Sequence, residues 1–107
     1  FKGFSNMEYK LIEKGEWAEV LIEGKYEPEG PDCMRDFFDG ILAKGYKKVS
    51  IDLGNVDVLS SACIGNLLLL YRTIKKQGGE FVIKRISSNL KQMFKLLHID
   101  KIIELPE

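Results

Sequence analysis

The chain has 107 residues, 45% of them hydrophobic and 30% charged, which is the size and balance of one globular domain. Sixteen Lys and Arg offset sixteen Asp and Glu, so no overall field exists to hold a polyanion by counterion release, and no nucleic-acid partner is expected. No apolar run approaches the roughly 18 to 20 residues of a membrane span, no basic-then-apolar leader is present, and Cys33 and Cys63 stand in neither metal-ligand nor redox spacing. A cytoplasmic protein with no membrane contact, no metal and no cofactor is the expectation. Residues 7–107 are expected to form the single domain, and residues 1–6 are given no role. Charge is unevenly placed, with eight bases against eleven acids in residues 1–53 and eight against five in residues 54–107. Such an asymmetry can orient a protein partner, although a solvated surface produces it equally well.

Residues 9–13 and 17–22 are two short β-favouring runs separated by Lys14, Gly15 and Glu16, a spacing that suits an antiparallel hairpin. The stretch from Gly24 to Pro31 holds two glycines and two prolines and predicts a loop. From Pro31, a good first helical residue, Met34, Phe37, Phe38, Ile41 and Leu42 recur at helical spacing and predict an amphipathic helix ending near Lys44 and Gly45. Residues 49–53 are short and rich in β-branched side chains, which predicts a buried strand. A second helix is expected from about Cys63 to Gln77, with Ile64, Leu67, Leu68, Tyr71 and Ile74 on one face, late cations complementing its dipole and Gly78-Gly79 stopping it. Residues 81–86 predict a strand, Ser87-Ser88 opens a third helix carrying Leu90, Met93, Phe94 and Leu97, and residues 102–105 predict a last short strand. The order β-β-α-β-α-β-α-β implies an α/β domain. Its sheet is mixed but mostly parallel, with an antiparallel hairpin at one edge and helices packed on it.

The stretch around Ser60 and Ser61 falls at a strand-to-helix turn. Serine there is an ordinary N-cap, but the same helix end offers unpaired N–H groups and a positive dipole, a setting that also tolerates a phosphate. Phosphorylation would add about −1.5 to −2 charge and disturb any partner docked over the turn. Cys63, in the first turn, has a dipole-assisted thiol but no base in sequence reach, so packing is the expected role and no catalytic residue is assigned. His98 reads as a surface or helix-end residue. Gly78-Gly79 follows a helix and precedes a strand, the reverse of a phosphate loop, and reads as a C-cap. Glu23, Glu27, Glu29 and Asp32 crowd the Pro/Gly loop but match no calcium-loop spacing, leaving a solvated loop or a partner-contact rim.

The run from Ser50 through Leu53, Gly54, Asp57, Ser60, Ser61 and Gly65, continuing through Leu67 to Ile74, Gly78-Gly79 and the tail from Ser87 to Ile103, resembles the STAS domain of bacterial anti-sigma factor antagonists. In that family's Asp-Ser-Ser-Gly or Asp-Ser-Thr-Gly motif the first serine is phosphorylated. Registered on Gly65 and Gly78-Gly79, that serine is Ser61, with Ser60, Ala62 and Cys63 replacing the motif's other positions. The family's Gly-Glu-Leu-Asp partner loop falls on residues 24–27, and Glu27 stands for its acid.

The resemblance implies a non-enzymatic module that binds a serine-kinase-type anti-sigma factor through Glu27, Ser60, Ser61, Ala62, Cys63 and Gly65 and thereby releases a sigma factor. The kinase would inactivate it by phosphorylating Ser61, and a metal-dependent serine phosphatase would reset it. The alternative is a STAS subunit that is not phosphorylated, working in a stress-signalling or lipid-transport assembly. Neither reading fixes an oligomeric state.

Overall fold

The computed structural model describes residues 7–24 and 31–106, the side chain of Pro31 excepted. Strand β1 (Glu8–Lys14) and strand β2 (Trp17–Glu23) form the expected antiparallel hairpin, in register from Glu8 opposite Glu23 to Lys14 opposite Trp17. Helix α1 (Pro31–Ala43) then leads to β3 (Lys48–Asn55), which lies parallel to β2. Helix α2 (Ser61–Lys76) leads in the same way to β4 (Glu80–Ile86), parallel to β3. The sheet order is β1-β2-β3-β4, followed by α3 (Ser88–Leu96) and a 3-10 turn at Ile99–Lys101. The expected class is therefore observed: an α/β domain with one antiparallel edge on a parallel sheet.

The alternation of the strands has a plain cause. Ala18, Val20 and Ile22 of β2, Val49, Ile51 and Leu53 of β3, and Phe81 and Ile83 of β4 are all buried, and they belong to one cluster with side chains from all three helices. Successive strand residues point to opposite faces, so this two-residue period places every one of them on the helix side. The other face is built differently. Ile12 and Val82 are exposed there, and Glu19 lies within ion-pair reach of Lys14 at 3.6 Å and of Lys84 at 3.9 Å. Because Glu19 is registered beside Ser50, the reach from β2 to β4 crosses above that serine, which is the buried polar residue of the sheet. Such exposed pairs contribute little stability; their effect is to keep this face polar. At one corner the Tyr46 hydroxyl donates to the Glu13 carboxylate, and that hydrogen bond raises the phenol's pKa above its ordinary value.

One expected element is absent. Residues 102–105 were expected to close the chain as a strand, yet they follow the 3-10 turn without joining the sheet. Their burial does alternate, with Ile103 buried, Glu104 exposed and Leu105 packed against the core. Their backbone is committed elsewhere: the amides of Ile102 and Ile103 both donate to the Ile99 carbonyl, at 2.8 and 2.9 Å. Pro106 has no N–H to add to a ladder. The tail runs alongside β4 and lines a groove with Phe81, Val82 and Lys84, but it does not pair with that strand.

Candidate partner-binding site

The ends of β2, β3 and β4 meet at the carboxyl side of the parallel strands, where α/β sheets usually carry their sites. Asn55 Nδ2, at the end of β3, donates to Glu23 Oε2 at the end of β2, 3.2 Å away. The Ser87 hydroxyl, just after β4, donates to the Val56 carbonyl, and Ser87 N donates to Leu53 O at 3.3 Å. Both parallel pairs also shift register at this end, between Leu21 and Glu23 and between Ile51 and Asp52. Bulges of this kind bend strands and re-aim side chains. The second is locked by Asp52, whose Oδ1 accepts from Gly54 N at 3.0 Å and whose Oδ2 accepts from Arg85 Nε at 2.9 Å. The segment from Val56 to Ser60 is thereby held as it enters α2.

The two serines separate cleanly at this point. Ser60 has the extended backbone of an N-cap, with φ −68° and ψ 159°, and its Oγ accepts from Cys63 N at 3.1 Å while its carbonyl accepts from Ile64 N at 2.9 Å. Ser61 is the first residue of the helix, exposed, with no hydrogen bond to its hydroxyl among the described residues. The helix thus starts two residues before the sequence signal at Cys63, because the cap, and not the first apolar side chain, sets the start. Ala62 and Gly65 are exposed beside Ser61. Cys63 faces the opposite way and is fully buried, so its side chain lies in the core and only its backbone is near the turn. A thiol in that position is out of reach of a substrate. His98 is remote in character as well: exposed, in a left-handed conformation with φ 62°, at the entry to the 3-10 turn. Glu27 lies outside the described residues.

The turn continues into a surface that the sequence pattern did not single out. Leu67 and Leu70 are buried, whereas Leu69, in the middle of the same apolar run, is 56% exposed. It stands one helical turn beyond Gly65, on the rim of a shallow groove of about 100 Å³ between α1 and α2 that Arg35, Phe38, Asp39 and Asn66 also line. The signal was available, since a run of four leucines cannot place all four on one helical face. Among the described residues there is no group of acidic, His and Cys side chains that could hold a metal, and no helix long and apolar enough to cross a membrane.

Comparison with known proteins places this geometry. A family profile described as "Mlab, STAS domain" matches residues 11–105. The chain belongs to the STAS domain family. A protein of Thermotoga maritima, provisionally named an anti-sigma factor antagonist, is 26% identical over 68 residues, which cover 64% of this chain and 60% of that protein. The matched stretch therefore spans less than two thirds of that relative's length. Among solved structures, an anti-sigma factor antagonist from Mycobacterium paratuberculosis is similar with a TM-score of 0.79 at 18% identity, over 94% of this chain and 85% of its own. The anti-sigma factor antagonist SpoIIAA in its unphosphorylated form gives a TM-score of 0.77 at 11% identity, over 94% of this chain and 89% of its own. At such identities these structural likenesses establish the fold. The STAS architecture expected from the sequence is the one observed.

Proposed function

We propose that this STAS domain is an anti-sigma factor antagonist whose binding is controlled by phosphorylation of Ser61. The observation that carries the proposal is the division of labour at the start of α2. Ser60 already caps the helix, so the exposed Ser61 hydroxyl is not needed by the fold and is open to a kinase. A phosphate there would meet the positive end of the helix dipole and leave the domain folded. It would also stand in the middle of any surface docked over Ser61, Ala62 and Gly65. Burying that unmatched charge costs on the order of 2–5 kcal/mol, the cost seen when interface charges lose their partners, and at the upper end that is more than a thousandfold in affinity. The partner in this reading is an anti-sigma factor of the serine-kinase type, with a serine phosphatase restoring the binding form. Glu27 is assigned to the contact rim from the sequence alone, because it stands where the family's Gly-Glu-Leu-Asp segment has its acid.

Titration against such an anti-sigma factor tests the reading. Ser61→Ala is expected to keep wild-type affinity and Ser61→Glu to lose most of it; equal affinities would end the proposal. A second reading is favoured by Ser60 standing where the family's motif carries an acid: a subunit that docks through the same surface without being phosphorylated. Mass spectrometry after incubation with the kinase and ATP separates the two, since the second reading expects no added phosphate.

A further inference from the structure

The end of α3 and the turn after it form a knuckle with an unusual surface. Leu96 is 80% exposed, Leu97 53% and Ile102 51%. The other exposed large apolar side chains of the described residues, Ile12, Val58, Leu69 and Val82, stand singly along the chain, whereas these three lie within seven residues. The backbone holds the three close together. His98 N donates to Lys95 O at 3.1 Å, Lys101 N to His98 O at 3.2 Å and Ile102 N to Ile99 O at 2.8 Å, while His98 reverses the chain through its positive φ. The core has no use for these side chains, because Phe94, Ile99 and Ile103, interleaved with them, already supply the inward face.

The segment that carries this apolar tip is basic. From Lys84 to Lys101 the chain carries five bases and one acid, in a protein whose formal charge is zero. Arg85 is held by Asp52, and the acid, Asp100, has a buried carboxylate oxygen. Lys91, Lys95 and Lys101 have no carboxylate partner among the described residues. Protruding aliphatic side chains flanked in the chain by Lys95 and Lys101, which no carboxylate pairs among the described residues, complement a surface that is anionic outside and apolar just beneath. Short apolar side chains can enter the headgroup boundary of a bilayer while lysines stay at headgroup level.

We propose that the knuckle formed by Leu96, Leu97 and Ile102 with Lys95 and Lys101 is a peripheral docking surface for an anionic lipid bilayer. This departs from the expectation of no membrane contact, which rested on the absence of a spanning segment; spanning and surface contact are different physical events. The docking leaves the other site usable. The start of α3 is tied through Ser87 to Val56, in the segment that leads to Ser60, and the helix's nine residues carry the leucines about 13 Å from that start.

Co-sedimentation of the full chain with vesicles tests this directly. Binding is expected to vesicles containing phosphatidylserine, to be absent with phosphatidylcholine alone, and to fall with added salt. Lys95→Gln together with Lys101→Gln should weaken binding by about 25-fold, at about fivefold per lysine. Leu96→Ser together with Leu97→Ser should abolish it, with the circular dichroism spectrum of both variants unchanged because these side chains are exposed. No binding of the wild-type chain to phosphatidylserine vesicles would overturn the proposal, as would binding that survives both pairs of substitutions. A dimer in sedimentation equilibrium that Leu96→Ser dissolves would assign the surface to a second copy of the chain and overturn it equally.

Discussion

Ser60 and Ser61 are chemically identical neighbours, and one residue of register gives them different work. The Ser60 hydroxyl satisfies an amide that the helix itself cannot reach, whereas the Ser61 hydroxyl satisfies nothing among the described residues. Ser60→Ala should therefore lower the unfolding free energy by about 1 kcal/mol, and Ser61→Ala should change it by less than about 0.5 kcal/mol. Urea titration of the two variants measures this, and the reverse ranking would exchange their roles. The sequence allowed the distinction only through family register, because composition and spacing accommodate either serine as the cap. Cys63 was more legible than its neighbours suggested. It shares the spacing of Leu67, Leu70 and Ile74, and that spacing places it on the buried face of α2.

Elements were readable where one face had to be buried. The helices announced themselves by the recurrence of apolar side chains, and the hairpin, β3 and β4 by short β-favouring runs between turn residues, because each must turn a fixed set of side chains toward one core. The stretch from Ile102 to Leu105 shows where this fails, since burial can alternate along a chain whose amides bond to a preceding turn instead of a neighbouring strand. Glycines divide in a related way. A Cβ at Gly79 would stand 2.0 Å from the Lys47 carbonyl oxygen, where the turn after α2 presses against the entry to β3. Gly79→Ala should cost about 2 kcal/mol or more, since backbone on both sides must move. Gly65 is the opposite case: it sits inside α2, exposed, and a Cβ there would meet nothing within 4 Å. Gly65→Ala should raise stability by about 0.5–1 kcal/mol, so nothing within the fold explains the glycine. In the proposed function the explanation is close approach of a partner one turn from Ser61. Melting curves beside titration of the anti-sigma factor check this, with higher stability and weaker binding expected together; higher stability with unchanged binding would remove Gly65 from the contact.

At the scale of the whole molecule, the sheet and three helices close on one apolar cluster, while exposed apolar surface gathers at the end of α3, in the basic segment from Lys84 to Lys101. The sequence showed the charge asymmetry between its halves but not its focus, because only folding turns Leu96 and Leu97 outward and Phe94 inward within the same few residues. This contrast makes α3 a direct test of which of its residues belong to the cooperative unit. Phe94 is completely buried in the cluster that also holds Leu90, Ile99, Ile103 and the strand residues. Phe94→Ala removes a whole ring from a close-packed interior and should cost about 3–5 kcal/mol. A domain of this size is stable by only about 5–15 kcal/mol, so that loss should move the urea midpoint further than removal of the Ser60 cap does. Leu96→Ala, two residues away, removes side-chain atoms already in water and should leave the midpoint where it was. If both variants shift it alike, α3 is packed along its whole length and the exposed knuckle does not exist in solution. If neither does, α3 frays from the core independently, and the single cooperative cluster must be redrawn without it.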